Sequence, residues 1–69
     1  MYLVMEIQRT GEQVANLVYS YANQNEAESK YYTILAAAAI SSVEQHAATL
    51  LTDQGNCIMS RFYIHKTEE

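Results

Sequence analysis

Hydrophobic and polar residues alternate along the first part of the chain. The run Tyr2–Arg9 places Leu3 and Ile7 on one side, and Val14–Tyr21 resumes the alternation after the polar, glycine-containing segment Thr10–Gln13. A period of two residues is typical of a half-buried strand, and a short break with glycine is typical of a hairpin. The N-terminal part of the chain is therefore predicted to form a β-hairpin.

The period changes to that of a helix between Glu26 and Val43. Asn25 precedes this run and Glu28 stands three residues later, which fits an N-cap with a carboxylate in the first turn. The four alanines Ala36–Ala39 have the highest helix propensity. One long helix is predicted, with a buried apolar stripe made of Ala27, Tyr31, Ile34, Leu35 and Ala38.

The other side of this helix is also nearly free of charge. A surface helix of a small domain normally presents a polar back to water. A helix that is apolar on two sides needs a second partner, so a homodimer or a higher oligomer built from dimers is predicted. Its interface is predicted to contain Tyr32, Ala36, Ala39, Ile40 and Val43.

Strand character returns after the helix. The segments His46–Thr52 and Cys57–Lys66 flank the turn sequence Asp53–Asn56, and Thr67–Glu69 reads as a solvated tail. The predicted order is ββαββ, an α+β two-layer fold with a four-stranded antiparallel sheet and one long helix across one face. Residues 1–69 are short enough for a single domain.

The alternation also predicts which residues face the helix. Pairing Leu17 with Ile7 and Tyr19 with Met5 gathers the larger residues of the first hairpin on the core face. In the second hairpin, Leu51 opposite Ile58 and Ala47 opposite Phe62 complete that core. The face away from the helix is then predicted to carry Tyr2, Val4, Glu6, Gln8, Asn16, Val18, Leu50, Met59, Arg61, Tyr63 and His65.

Charge and composition narrow the function classes. The net charge of −4 argues against binding nucleic acid by neutralising phosphates, and the scattered acids form no nucleic-acid mimic. No apolar run approaches the roughly 20 residues of a membrane span, and the N-terminus lacks the features of a signal peptide. With one cysteine and therefore no internal disulfide, a cytoplasmic location is expected.

No arrangement of residues predicts catalysis or a cofactor. His46, Cys57 and His65 are the candidate metal ligands, but Cys57 and His65 are eight residues apart on one predicted strand, roughly 26 Å. His46 and His65 alone do not make a zinc site. The same distance separates Cys57 from a histidine base, and Gly11 and Gly55 are isolated turn glycines. No enzyme activity, metal or cofactor is expected.

A binding surface is the more promising feature. The chain has six tyrosines, one phenylalanine and no tryptophan, and tyrosine suits half-exposed interfaces. Arginine and tyrosine are enriched at binding hot spots. Tyr2, Met59, Arg61 and Tyr63 are predicted to form a partner-binding site, with Arg61 as its anchor, while an ordinary exposed sheet face is the competing interpretation.

The chain resembles small accessory proteins of bacterial phages and mobile elements. The resemblance rests on the segments VMEIQRT, EAESKYYTILAAAA and SSVEQHAATLLTDQGNCIMSRFY, and it covers nearly the full length. It implies a viral accessory protein that binds a host protein, with inhibition of host defence as one such role. Two alternatives stay open: a sponge for a signalling nucleotide, with a pocket at the subunit interface and phosphates bound by Arg9, Lys30, Arg61 or Lys66, and a structural or assembly protein.

Overall fold

The computed structural model describes residues 1–65 and contains one sheet and one helix. The elements are β1 (Tyr2–Thr10), β2 (Gln13–Tyr21), α1 (Gln24–Ala39), β3 (Gln45–Thr52) and β4 (Cys57–Ile64). The four antiparallel strands lie in the order β2-β1-β3-β4, and α1 crosses one face of the sheet. The predicted α+β, ββαββ fold is confirmed.

The strand order places β1 and β3 at the centre and leaves β2 and β4 as edges. The connection from β2 through the helix to β3 therefore passes over β1, and both hairpins join one sheet. The end of the predicted fourth strand, Lys66, and the predicted tail Thr67–Glu69 lie outside the described residues.

The helix begins earlier than predicted. Its N-cap is Asn23 and not Asn25, because Asn23 has an extended backbone and its side chain accepts hydrogen bonds from the amides of Asn25 and Glu26, at 2.7 and 3.4 Å. Since β2 ends at Tyr21, the chain turns into the helix almost at once. Glu26 lies in the first turn, where the helix dipole favours a negative charge.

The helix also ends earlier than predicted, at Ala39 and not at Val43. At about 1.5 Å per residue, its 16 residues span roughly 24 Å, close to the length of the strands beneath it. A helix continuing to Val43 would leave one residue to reach the start of β3 at Gln45. Instead, the chain turns after Ile40, and the Ser41 hydroxyl oxygen accepts a hydrogen bond from the Val43 amide at 3.0 Å.

The predicted buried stripe of the helix is confirmed: Ala27, Tyr31, Ile34, Leu35 and Ala38 are all buried. Across from this stripe, the sheet contributes Val4, Ala48 and Leu50 to the core. Partly buried side chains surround this narrow core at its rim, namely Tyr2, Tyr19, Tyr21, Met59 and Tyr63.

The predicted orientation of β1, β3 and β4 is wrong. Val4 on β1 and Leu50 on β3 are fully buried beneath the helix, which puts the even-numbered positions of both strands on the helix side. Of the residues predicted to face away from the helix, the structure places on the helix side Tyr2, Val4, Glu6, Gln8, Leu50, Met59, Arg61 and Tyr63. His65 contacts the helix through the Ala38 carbonyl oxygen, and only Asn16 and Val18 face away as predicted.

A shift of one residue in the first hairpin accounts for part of this inversion. Tyr19 pairs with Val4 and Leu17 with Glu6, because Thr10 pairs with Gln13 around a two-residue loop. Gly11, with φ of 62°, stands first in that loop, where a type II′ turn requires glycine. The predicted register would have required a three-residue loop.

The second hairpin keeps part of its predicted register. Ala47 pairs with Phe62, as predicted, but an irregularity between Leu50 and Leu51 places Leu51 opposite Cys57 and not Ile58. The Ala47–Phe62 pair lies on the face away from the helix. It therefore does not belong to the core beneath α1.

Candidate functional site

The sheet face opposite the helix carries uncovered apolar side chains of the described chain, and we call it the open face. Phe62, Val18 and Ile64 are 58%, 50% and 49% exposed. Polar side chains also lie on this face, among them Thr49 and Ser60, whose hydroxyl oxygens are 3.2 Å apart, but monomers rarely expose so many apolar side chains on one sheet face. The apolar side chains of the open face are Leu3, Met5, Ile7, Val14, Val18, Ala47, Leu51, Ile58, Phe62 and Ile64.

The open face carries a single charged strand residue, Arg9, at one end. Its guanidinium Nη2 lies 3.2 Å from a Glu44 carboxylate oxygen, and its Nη1 donates to the Gly11 carbonyl at 2.9 Å. The Gly11 amide donates to Glu44 at 3.0 Å. This hydrogen bond and the charge of Arg9 lower the pKa of Glu44. The charge of Arg9 is thus already compensated within the chain.

The back of the helix is the second uncovered surface. Tyr32, Ala36, Ala39 and Ile40 of the predicted oligomer interface are exposed there, and Ile40 is 88% exposed. Val43 is not part of this surface, since it lies in the loop after the helix and is partly buried. The four exposed residues are themselves uncharged, but they form a narrower surface than the open face.

The predicted partner-binding residues do not share one site. Tyr2 lies on central strand β1, whereas Met59, Arg61 and Tyr63 lie on edge strand β4, all four on the helix side. Arg61 is exposed, and its guanidinium carbon lies 5.4 Å from the centre of the Tyr63 ring.

Helix residues border this part of β4. The Tyr32 hydroxyl lies 3.6 Å from the Met59 sulfur. Tyr31 is buried beside Arg61, and burial, with a smaller effect from Tyr32, raises the pKa of the Tyr31 phenol. The structure thus brings together Tyr32, Met59, Arg61 and Tyr63, which sequence reasoning had divided between two surfaces.

The structure contains a buried polar cluster that the sequence did not predict. His46 is 4% exposed, its Nε2 lies 2.6 Å from a Glu6 carboxylate oxygen, and its Nδ1 lies 3.1 Å from the Ser41 hydroxyl. The Gln8 side-chain amide donates to the same Glu6 oxygen at 3.0 Å. The only indication of this cluster in the sequence was the presence of polar residues at alternate positions of strands that also carry many apolar residues.

The order Ser41–His46–Glu6 matches the outline of a nucleophile, a base and an orienting carboxylate. The surroundings favour a structural role instead. The imidazole is buried, so a substrate has little access to it. The Ser41 oxygen also accepts the Val43 amide, which shapes the loop between α1 and β3. The cluster therefore fastens this loop to the middle of the sheet.

The described residues form two clefts. One, of about 200 Å³, is lined by Glu6, Gln8, Ala15, Asn16 and Leu17. The other, of about 500 Å³, is lined by Tyr21, Glu26, Ser29, Lys30 and Thr33.

The cations of the described chain do not converge on either cleft. Lys30 lies 4.2 Å above the Tyr19 ring, Arg9 pairs with Glu44, and Arg61 lies by Tyr63. Of the residues suggested for phosphate binding, Lys66 lies outside residues 1–65. A nucleotide phosphate would therefore meet at most one described cation, with Glu26 beside it in the larger cleft.

Within residues 1–65, no group of three or more histidine, cysteine, aspartate or glutamate side chains is placed to hold a metal ion. Cys57 is exposed, His46 is buried in the polar cluster, and His65 Nε2 donates to the Ala38 carbonyl oxygen, so the three candidate ligands are separated. The helix of the described chain is too short and too polar to cross a membrane.

No protein-family model matches the chain, no curated protein matches it, and no solved structure matches it.

Proposed function

We propose that this protein is a non-enzymatic binding protein that works as a homodimer, in which the open faces of two copies pack together. The observation that carries the proposal is the uncovered apolar surface that extends over all four strands. Following the resemblance to phage and mobile-element accessory proteins, the partner of the dimer is proposed to be a host protein.

A second copy is the occupant that suits the open face best. Strands of eight or nine residues at about 4.8 Å spacing make a face of roughly 30 by 19 Å. Because side chains protrude from the sheet, the accessible area of the face is larger than that of this rectangle. It approaches the 800 Å² or so that each partner contributes to a stable interface. Two such sheets stack about 10 Å apart, as in a β-sandwich.

Charge and size favour the same arrangement. Within residues 1–65, Arg9 is the only charged strand residue of the open face and is already paired with Glu44, so two copies meet without unpaired like charges facing each other. A chain of 69 residues buries a modest part of its surface alone, and association of the open faces adds the missing apolar burial. The helix backs and the β4 edges stay accessible in this dimer.

Sedimentation velocity tests the proposal. The wild-type protein is expected to sediment as a dimer at micromolar concentration. Val18→Lys combined with Phe62→Lys places charges on two different strands of the open face and should yield a monomer that keeps the far-UV circular dichroism of the fold. A wild-type protein that stays monomeric over this range would contradict the proposal.

Ala36→Glu with Ala39→Glu provides the matched control on the helix back. These variants should still dimerise. If they become monomeric while the Val18→Lys, Phe62→Lys protein remains a dimer, the interface is the helix back predicted from the sequence, and the open face is not involved.

The alternative functions are separated by what the purified dimer carries. A host protein recovered with it, and released by competition with untagged dimer, supports the proposed role. A bound nucleotide identified by mass spectrometry supports the sponge, although the dispersed cations give that alternative less support. Higher assemblies without either would support a structural role.

A further inference from the structure

The outer edge of β4 is not paired with any described strand. β4 neighbours β3 alone, spans Cys57–Ile64 and contains no proline. The outward backbone amides and carbonyls of such a strand are ready to pair with another extended chain. Edges of this kind are either protected by charged side chains or used for binding.

Arg61 lies near the middle of this edge strand. Its side chain is exposed, and no carboxylate within residues 1–65 lies within 4 Å of its guanidinium, although the whole chain carries a net charge of −4. The guanidinium lies by the Tyr63 ring, and Tyr63 stacks on His65 with the ring centres 6.2 Å apart. An available arginine beside an aromatic ring is typical of a binding hot spot.

Side chains of the neighbouring helix border this edge on the helix side. Tyr32 contacts Met59 through its hydroxyl, and the Tyr32 ring packs edge-on against Tyr31 at 5.2 Å. A chain lying along β4 would therefore find Tyr32, Met59, Arg61 and Tyr63 on the helix side of its path.

Charge selects the kind of partner. Antiparallel pairing of two β4 strands centred on Arg61 would bring the two Arg61 side chains together, and like charges on opposed strands are destabilising. The other edge strand, β2, carries no charged residue of its own, and the nearby Lys30 lies over the Tyr19 ring. The β4 edge thus disfavours a second copy and suits a negatively charged strand.

We infer that the edge of β4 is the docking site for an extended acidic segment of the partner protein, which adds a fifth strand to the sheet and pairs a carboxylate with Arg61. This inference rests on the proposed function in that it assigns the partner-binding surface of the dimer. It does not depend on the open face being the dimer interface.

Fluorescence anisotropy with two matched peptides tests the inference. The probe is a labelled, end-capped peptide of alternating valine and glutamate, and its counterpart has lysine in place of glutamate. The wild-type protein should bind the glutamate peptide at least tenfold more tightly. Arg61→Gln should weaken this binding by about 30-fold, which corresponds to roughly 2 kcal/mol at a hot spot. Lys30→Gln makes the same change in net charge on the far side of the helix and should leave binding unchanged.

A glutamate peptide N-methylated at every residue tests strand addition, because neither of its edges can donate the backbone hydrogen bonds of a ladder; it should not bind. Equal binding of the two charged peptides, undiminished binding of the methylated peptide, or no binding at all would each overturn the inference. If Arg61 only protects the edge, Arg61→Gln will self-associate and neither peptide will bind. Sedimentation of the same samples reports the dimer independently, so failure of the docking site is distinguishable from failure of the proposed dimer.

Discussion

His46 Nε2 lies 2.6 Å from the Glu6 carboxylate, joining β3 to β1 across 40 positions of sequence. His46 stands opposite Gln8 in the strand register, so its ring reaches Glu6 diagonally. The Ser41 hydroxyl binds the other ring nitrogen, and the loop that follows the helix is thereby attached to the two central strands.

This cluster is expected to stabilise the fold through satisfied hydrogen bonds. His46→Leu leaves the largely buried Glu6 carboxylate with the Gln8 amide alone and should lower the free energy of unfolding by about 2 kcal/mol. Glu6→Leu should have a similar effect. Urea denaturation at one protein concentration measures both changes, since the stability of a dimer depends on concentration.

The double variant His46→Leu, Glu6→Leu provides the control for that prediction. It removes both partners together, so its loss should be clearly smaller than the sum of the two single losses. Additive losses would show that the two side chains stabilise the fold separately and that their contact contributes nothing.

The position of the N-cap predicts that replacing two different asparagines changes the stability of the fold by different amounts. Asn23→Ala removes the acceptor for the Asn25 and Glu26 amides and should cost about 1 kcal/mol of unfolding free energy. Asn25→Ala lies inside the first turn, where alanine has the better helix propensity, and should be neutral or slightly stabilising. Thermal unfolding of the two variants decides between the caps, and a reversed order would restore Asn25 as the cap.

The lowered pKa of Glu44 predicts that the stability of the fold depends on pH. The Gly11 amide and the Arg9 guanidinium stabilise the charged form, so the pKa of Glu44 is lower in the folded than in the unfolded chain. Its contribution to stability is therefore present above the ordinary glutamate value of about 4.3 and is lost as the pH falls through the lowered, folded value. Glu44→Gln should have a flatter stability curve than wild type over this window.

Arg9→Met tests the cause of that dependence. It removes one of the two groups that lower the Glu44 pKa, and urea midpoints measured across the window should show a slope between those of wild type and Glu44→Gln. A Glu44→Gln curve parallel to that of the wild type would show that Glu44 does not contribute.

The burial of Leu50 in the core predicts a large loss of stability when its side chain is shortened. This side chain is fully buried beneath the helix, so Leu50→Ala should cost roughly 3 kcal/mol through lost burial and a residual cavity. Ile40→Ala, at a position that is 88% exposed, should change stability by less than about 0.5 kcal/mol. A large loss at Ile40 would instead indicate that the helix back is buried in an oligomer.

The sequence was sufficient to predict the elements, their order and the buried stripe of the helix. The period of two before Tyr21 and after Gln45, the helical spacing of Ala27, Tyr31 and Leu35, and the isolated turn glycines are local signals. Local preferences of this kind act within a few residues and need no knowledge of the rest of the fold.

Tertiary structure decided which face of the sheet meets the helix. β1 has apolar residues on both sides, with Val4 on one and Met5 on the other, so alternation alone did not identify the buried side. A helix about 10 Å wide cannot cover four strands, whose outer members lie roughly 14 Å apart. The rim of the helix side therefore holds tyrosines, whose hydroxyls can reach water, while the more uniformly apolar face is left uncovered.

The same division applies to the candidate sites. Arginine and tyrosine at Arg61 and Tyr63 were recognisable from composition, but their place beside Tyr32 depends on how the helix packs against β4. The contact of His46 with Glu6 depends on β3 pairing with β1, a choice made over 40 residues of separation. Sequence determined which segments form strands and the helix because those preferences are local; only the packing of helix on sheet determined which side chains meet, because one step in register moves every side chain of a strand to the opposite face.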